Sequence, residues 1–197
     1  MNFLAHIFLS FGDKEITIGN FIADSIRANK FQHLPTKVQK GIKLHRHIDT
    51  YTDAHSIPKI SSRRLHANYS HYSRVIVDIY YDHFLAKNWS KYSDTPLDIF
   101  VEDFYDLLED NYEILPEGVK RMMPYMISDN WLYNYSKMEG IGNVLNGMNR
   151  RTKNKSKMNF AIIDLEEHYD SFEKEFTEFF EELITFSKHK YISLLNE

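Results

Sequence analysis

The sequence contains no cysteine among its 197 residues, and this absence excludes several kinds of site. Disulfide bonds, zinc sites built on thiolates and a cysteine nucleophile are all impossible. A metal ion bound by this protein would therefore have histidine nitrogens and carboxylate oxygens as its ligands.

Long hydrophobic runs are also missing. The longest is FLAHIFLS at 3–10, which a histidine interrupts and which is much shorter than the roughly 20 residues that span a bilayer. It has no basic flank, so we interpret it as a core helix and not as a signal segment. The net charge of −4 argues against nucleic-acid binding. We expect a cytoplasmic protein that binds neither membranes nor nucleic acids.

Apolar residues recur at helical spacing through most of the chain, without the alternation typical of strands and without an internal repeat. The length suits one well-buried domain. The 15% aromatic share predicts a core rich in Phe and Tyr. The expected fold is therefore all-α, a single-domain helical bundle over residues 1–197 with seven or eight helices.

The order of the expected elements follows from turn residues and helix breakers. We expect a short helix at 2–10, a loop at 11–17, a helix starting within 19–27, a central helix from Thr36 to about His55, a helical stretch at 61–89 broken near 68–70, helices at 95–115, 116–126 and 129–145, and a last helix from 162 to about 195.

The central helix carries a row of metal-binding residue types. His45, Asp49 and Asp53 recur every four residues, and a helix turns once in about 3.6 residues. Their side chains therefore project from one face. We interpret this row as a ready set of metal ligands.

Two other segments repeat the design. Asp78 and Asp82 are also four residues apart, with His83 beside them, and Asn20 and Asp24 share a face at the same spacing. Two packed helices carrying His and Asp would enclose a site for a cation.

These residues lie within motifs that resemble a known family. MNFLAH at 1–6, GNFIAD at 19–24, GIKLHRHIDTYTDAH at 41–55, DIYYDHFLAKNW at 78–89 and NVLNGM at 143–148, with LEEHYDSFEKEF at 165–176, look like the acyl carrier protein phosphodiesterase family. That family is regarded as a divergent relative of the HD-type metal-dependent phosphohydrolases. The resemblance covers nearly the whole chain and implies an HD-domain-like fold.

The resemblance also implies an activity and a partner. The family hydrolyses the phosphodiester that joins the 4′-phosphopantetheine arm to a serine of holo acyl carrier protein, using a divalent cation. A phosphodiester is negatively charged and repels hydroxide, so such an enzyme needs a cation to acidify water and to neutralise the phosphoryl oxygens. Mixed imidazole and carboxylate ligands suit Mn²⁺, Fe²⁺ or Zn²⁺, and carboxylate-rich sets favour Mn²⁺ and Mg²⁺. We expect Mn²⁺, with Mg²⁺, Fe²⁺ and Zn²⁺ as alternatives.

We assign candidate roles on this chemistry. The expected metal ligands are Asp24, His45, Asp82 and His83, with Asp49 either a further ligand or the partner of one. Because neighbouring helical residues point about 100° apart, one of Asp82 and His83 would orient the other if both cannot bind the ion. The expected catalytic residues are Asp24, Asp49, Arg46 and Asn20.

Several of these residues have alternative roles. Arg46 suits a phosphoryl oxygen or a surface ion pair, and Asn20 either binds phosphate or holds the 19–24 turn. His6 belongs to the opening motif and either supports the site or is a hydrogen-bonded core histidine. Asp53 and Asp78 either orient the ligating histidines or are solvated. His47 is a weak ligand candidate, because relatives commonly have other residues there.

The segment RRTKNKSK at 150–157 concentrates positive charge in a chain that is net negative. We predict that Arg150, Arg151 and Lys153 bind the acidic carrier protein, the alternative being a solvated linker. Two other functions stay open: an HD-like hydrolase of small phosphate esters or nucleotides, and a non-catalytic binder of carrier proteins.

Overall fold

A computed structural model describes residues 2–27 and 30–197. Over these ranges the regular structure is helical and contains no β-strand, so the predicted all-α fold is confirmed. The α-helices, in chain order, are α1 Phe3–Phe8, α2 Lys14–Ile22, α3 Thr36–Ala54, α4 Ser56–Tyr69, α5 Ser73–Lys87, α6 Leu97–Asp110, α7 Glu117–Ser128, α8 Trp131–Asn134, α9 Met138–Arg151, α10 Ala161–Glu167 and α11 Tyr169–Leu195. In the described part of the chain, each of these helices is too short or too polar to cross a bilayer.

The predicted central helix is confirmed as α3, and several other boundaries are corrected. Residues 14–17 belong to α2 and not to a loop, because the Asp13 carboxylate accepts a hydrogen bond from Ile16 N at 3.3 Å and caps the helix earlier than expected. The break expected near 68–70 lies at Ser70, where φ is 51°. The last helix is divided at His168 into α10 and α11, and the expected helix at 129–145 is likewise divided into α8 and α9.

Helix α5 lies at the centre of the core. It packs against α1, α4, α9 and α11, and its apolar and aromatic side chains are buried on nearly all sides. Much of the facing surface comes from aromatic residues of α11, with Phe172, Phe176 and Phe180 fully buried. Burying a side chain of this size contributes about 1.5–3 kcal/mol. The expected aromatic core is therefore present, and it surrounds the helix that carries Asp78 and Asp82.

Helices α2 and α3 approach each other unusually closely. A β-carbon added to Gly19 would lie 2.0 Å from Val38 O, and one added to Gly41 would lie 2.3 Å from Ile16 O. Only glycine fits at these two positions, because any side chain would collide with the backbone of the other helix. The close approach places Asn20 of α2 directly against His45 of α3.

Candidate metal centre and adjoining cleft

Three helices contribute to a compact cluster of nitrogen and oxygen donors. His6 of α1 and His45 of α3 stack with ring centroids 3.9 Å apart. Asp49, one turn after His45, contacts both rings: Oδ1 is 3.2 Å from His6 Nε2, and Oδ2 is 3.0 Å from His45 Nε2. Asp24, in the single 3₁₀ turn that follows α2, places Oδ1 3.1 Å from His45 Nε2.

Asn20 orients both histidines. Its main-chain oxygen accepts a hydrogen bond from His45 Nδ1 at 2.8 Å. Its side-chain nitrogen donates to His6 O and Ser10 Oγ, which leaves its side-chain oxygen to accept from His6 Nδ1 at 2.8 Å. Each histidine thus uses Nδ1 as a donor and turns Nε2 toward the carboxylates, the arrangement that prepares Nε2 to bind a metal. Asn20 is fully buried, which fits this role better than direct phosphate binding.

His6 has an unsatisfied nitrogen in this cluster. Burial, together with the charge on His45, lowers the pKa of His6 to about 4, so the ring is neutral near pH 7. Since Nδ1 carries the proton, Nε2 presents a lone pair. Among the described residues that buried atom has no hydrogen-bond partner, although an oxygen of Asp49 lies 3.2 Å away. The lone pair of His6 Nε2 and the Asp49 oxygen therefore face each other as two acceptors, and a cation bound between them would remove their repulsion.

The pKa of His45 is shifted in the opposite direction from that of His6. Burial alone would lower its pKa, but contacts with Asp24 and Asp49 raise it to about 9. Contact with His45 in turn lowers the pKa of Asp24. Burial would raise the pKa of Asp49, yet its contacts with His45 and His6 outweigh that effect and hold the pKa well below its usual range. A proton on His45 Nε2 thus occupies the position where a cation would bind.

The donor set fits a divalent metal ion. The donor atoms of His6, His45 and Asp49 lie within 4.8 Å of one another, close enough to share one ion. Two imidazole nitrogens with a carboxylate are typical ligands for Mn²⁺, Fe²⁺ or Zn²⁺. The buried lone pair of His6 provides independent support, because it has no other partner among the described residues.

A cleft of about 230 Å³ adjoins the cluster where α3 ends and α4 and α5 begin. Four carboxylates line it, those of Asp24, Asp49, Asp53 and Asp78. The remaining lining residues are Thr52, Pro58, Lys59, Ser62, Arg74 and Val77. Burial raises the pKa of Asp78. Asp24, Asp53 and Asp78, which the sequence pattern had identified, therefore share one cleft with the candidate metal ligand Asp49.

Asp82 and His83 do not belong to this cluster, so their expected role as ligands of the same ion requires correction. Both oxygens of Asp82 accept hydrogen bonds from the start of α1, from Leu4 N at 2.7 Å and Ala5 N at 3.2 Å. Burial raises its pKa to about 7. The carboxylate thus caps the helix that carries His6.

His83 points to another part of the core. Its Nδ1 donates to the main-chain oxygen of Tyr135, and its Nε2 accepts from the Tyr169 hydroxyl, each at 2.7 Å. Both ring nitrogens are therefore satisfied by protein groups. We leave Asp82 and His83 out of the ligand set, and we add His6, which the sequence suggested only as a supporting residue.

Arg46 also differs from its expected position. Its guanidinium carbon lies 4.9 Å from the centre of the Phe31 ring, and Arg46 is not among the residues that line the cleft. Among the described residues, the cationic groups that do line it are those of Lys59 and Arg74, which were not predicted from the sequence. A signal was available, because both lie in the first turn of a helix, where acidic residues are favoured.

The basic segment at 150–157 has an ordered conformation. Arg150 and Arg151 end α9, and Lys153 and Asn154 have positive φ angles. The buried side chains of Asn149 and Ser156 bond to each other at 3.1 Å and hold the segment together. Its five basic residues are all exposed. A hydrogen-bonded turn is not a flexible linker, and it presents these charges in a fixed arrangement.

Known proteins match nearly the whole chain. The family model described as "Acyl carrier protein phosphodiesterase" matches residues 1–183. Relatives that bear the same name include proteins from Escherichia coli, 34% identical over 96% of this chain and 99% of the relative; from Photorhabdus laumondii subsp. laumondii, 32% identical over 96% of each; and from Pectobacterium atrosepticum, 30% identical over 95% of this chain and 98% of the relative. No solved structure matches the chain significantly.

Proposed function

Because the chain belongs to the acyl carrier protein phosphodiesterase family, we propose that it hydrolyses the phosphodiester between 4′-phosphopantetheine and a serine of holo acyl carrier protein. The products would be apo acyl carrier protein and 4′-phosphopantetheine. The observation that carries this proposal is the pair of oriented histidines beside Asp49, which opens into a cleft lined by further carboxylates. We also propose that the reaction takes place in the cytoplasm, the location expected from the sequence.

The chain's own residues would divide the work. His6, His45 and Asp49 would hold a divalent cation, and Asn20 would keep both Nε2 atoms directed at it. When bound, the cation would lower the pKa of water and neutralise charge on the phosphoryl oxygens. The Asp24 carboxylate lies beside the cluster with its side chain 76% exposed, so its free oxygen is the candidate to accept a proton in the cleft. We propose Mn²⁺ as the cation, with Mg²⁺, Fe²⁺ and Zn²⁺ as alternatives.

The cleft volume favours a large substrate that enters only in part. Pockets that enclose a drug-sized molecule measure roughly 300–1,000 Å³, whereas this cleft measures about 230 Å³. It accommodates a phosphodiester and the atoms nearest to it, and leaves the rest of the substrate outside. A protein-attached phosphodiester would fit the cleft in this way.

The experiment that tests the activity is turnover of holo acyl carrier protein by metal-loaded protein. Release of 4′-phosphopantetheine, followed by mass spectrometry of the carrier protein, should show conversion to the apo form. A panel of small phosphodiesters, phosphomonoesters and nucleotides serves as the comparison. Faster hydrolysis of a small ester would favour the small-substrate alternative, and carrier-protein binding without any turnover would favour a binding protein.

We further propose that the basic segment at 150–157 docks the carrier protein, which is small and strongly acidic. Lys157 lies in a groove with Asn68 and Tyr69 near the end of α4. Ser62 of the same helix lines the cleft. Six residues at a rise of 1.5 Å place the groove about 9 Å along the helix from the cleft. An acidic protein held by this segment would therefore lie close to the bond that is cleaved.

Charge reversal tests the docking proposal. Replacing Arg150 and Arg151 with glutamate should raise KM for holo acyl carrier protein and leave hydrolysis of a small phosphodiester unchanged. The effect should be largest at low ionic strength, because salt screens such charges over about 8–10 Å. The same double reversal at the exposed Lys14 and Lys91 is the matched control. Equal effects of the two double variants would contradict docking at this segment.

A further inference from the structure

Two cationic side chains, those of Lys59 and Arg74, line the cleft together with the candidate metal ligand Asp49. We propose that Arg74, Lys59 and Ser62 bind the non-bridging oxygens of the phosphodiester, and that Arg74 and Lys59 are positioning residues for the reaction. This inference rests on the proposed function, since it concerns the substrate of the same site. It predicts a phosphate-binding site formed by the first turns of α4 and α5.

The position of these residues across the cleft supports the assignment. Asp24 and Asp49 approach the cleft from the metal cluster, whereas Lys59 and Ser62 come from α4 and Arg74 from α5. An anion that reached the carboxylates alone would be repelled. Lys59 and Arg74 supply opposite charge within the same cleft, so a phosphoryl group bound there could contact a cationic side chain as well as the candidate metal centre.

Both cations lie where a helix disfavours them. Lys59 is in the first turn of α4 and Arg74 in the first turn of α5, and neither first turn contains an acidic residue. The positive end of the helix macrodipole repels a cation there and attracts an anion. The end of α3 accounts for Lys59, which bonds the main-chain oxygen of its last residue, Ala54. Helix stability does not account for Arg74 at its position, and for this residue an anionic ligand is the more direct explanation.

The present partners of the two side chains are readily exchanged. Arg74 lies 3.6 Å from the Asp53 carboxylate, and both side chains are 67% exposed, so this ion pair contributes little. Lys59 donates to the main-chain oxygen of Ala54 at 2.8 Å, a neutral acceptor at the end of α3 that a cation stabilises only modestly. A guanidinium matches a phosphoryl group with two parallel hydrogen bonds. A bound phosphodiester would therefore replace two weak contacts with stronger ones.

Binding of inorganic phosphate is the direct test, because it requires no turnover. Calorimetric titration of Mn²⁺-loaded protein should give a dissociation constant for phosphate that rises at least about tenfold in Arg74→Ala and in Lys59→Ala. Arg74→Lys should recover part of the affinity, because it keeps the charge and loses the second hydrogen bond. The control is Arg63→Ala. Arg63 is an exposed cation of α4, the helix that carries Lys59, but it does not line the cleft.

A second readout separates ligand binding from folding. The melting temperature of Arg74→Ala should stay close to that of the native protein, because the variant loses only an exposed ion pair with Asp53 and removes a cation from a helix start. In kinetic assays KM should rise more than kcat falls. Unchanged phosphate affinity in both variants would overturn the inference, as would an equal loss in Arg63→Ala or a native protein that binds no phosphate. Phosphate binding of the expected kind without turnover of holo acyl carrier protein would refute the proposed function and support this site.

Discussion

His45 Nδ1 lies 2.8 Å from the main-chain oxygen of Asn20, and this hydrogen bond fixes which nitrogen of the ring faces the carboxylates. A carbonyl oxygen only accepts, so Nδ1 carries a proton and Nε2 is directed toward Asp24 and Asp49. Because the acceptor belongs to the backbone of α2, the orientation of His45 depends on how closely α2 and α3 pack. A substitution that separates α2 from α3 should therefore also change the orientation of His45.

The close packing of α2 and α3 predicts a strong effect of small substitutions. Gly19→Ala should destabilise the protein by at least about 1–3 kcal/mol, because the added methyl group would meet Val38 O at 2.0 Å. It should also weaken metal binding, since Asn20 would move away from His45. Gly142→Ala is the control. Gly142 lies within a helix, and a β-carbon added there would have no neighbour within 4 Å. This variant should therefore increase the free energy of unfolding by up to about 1 kcal/mol. Urea unfolding of the two variants decides the comparison, and equal stabilities would refute it.

Removing the metal should inactivate the protein and lower its stability. Chelation would leave the acceptors of His6 and Asp49 facing each other, whereas an ion at 100 times its dissociation constant adds about 2.7 kcal/mol to the free energy of unfolding. For a chain of this length that corresponds to roughly 5–10 °C in melting temperature. Differential scanning calorimetry with and without Mn²⁺ measures it. Full hydrolytic activity after chelation would contradict metal dependence.

Substitutions should separate the ligands from residues with other roles. His6→Ala, His45→Ala and Asp49→Ala should each reduce turnover by at least about a hundredfold and weaken Mn²⁺ binding. His47→Ala should have a mild effect, because His47 lies on another face of α3. Asp82→Ala should lower stability through the lost cap of α1, by about 0.5–2 kcal/mol, and should affect metal binding less than His6→Ala. Calorimetric titration with Mn²⁺ measures both affinities. If Asp82 were a ligand, Asp82→Ala would weaken Mn²⁺ binding more than His6→Ala.

Stability should fall on mild acidification because of His83. Burial lowers its pKa in the folded protein, while the unfolded chain keeps a pKa of about 6.5. Below that pH the unfolded state binds more protons than the folded state, so stability is lost as pH falls through 6.5 toward the folded pKa. His83→Gln removes this titration. In metal-free buffer, the free energy of unfolding should depend less steeply on pH between 5 and 7 in the variant, and an unchanged slope would refute the assignment.

The residues of the site that lie about one helical turn apart in the sequence could be predicted from that spacing. His45 and Asp49 share a face of one helix at a spacing of four residues, so the confirmed helix α3 brings them together. Asn20 and Asp24 were also identified by their spacing, although Asp24 lies beyond the end of α2. His6 was placed only among supporting residues, because its contact with Asp49 spans 43 positions and depends on how α1 packs.

The errors have a common physical origin. Asp78 and Asp82 repeat the four-residue spacing of His45 and Asp49, with His83 beside them. Because α5 is buried on nearly all sides, the partners of Asp82 and His83 come from α1, Tyr135 and Tyr169. Residue spacing identifies a face of a helix and does not tell whether that face meets a site or the core. Lys59 was overlooked because its helix was expected to begin at 61, which hid its position in a first turn.

The hydrogen bonds from α1 to Asp82 affect how the two sides of the cleft move. Helix α5 carries Arg74 at its start and Asp82 two turns later, and Asp82 is bonded to the helix that bears His6. The nitrogen proposed to bind the cation and the guanidinium proposed to bind the anion therefore belong to two helices, α1 and α5, that these hydrogen bonds join. A displacement of α5 should carry α1 with it, so the backbone positions of His6 and Arg74 should move together.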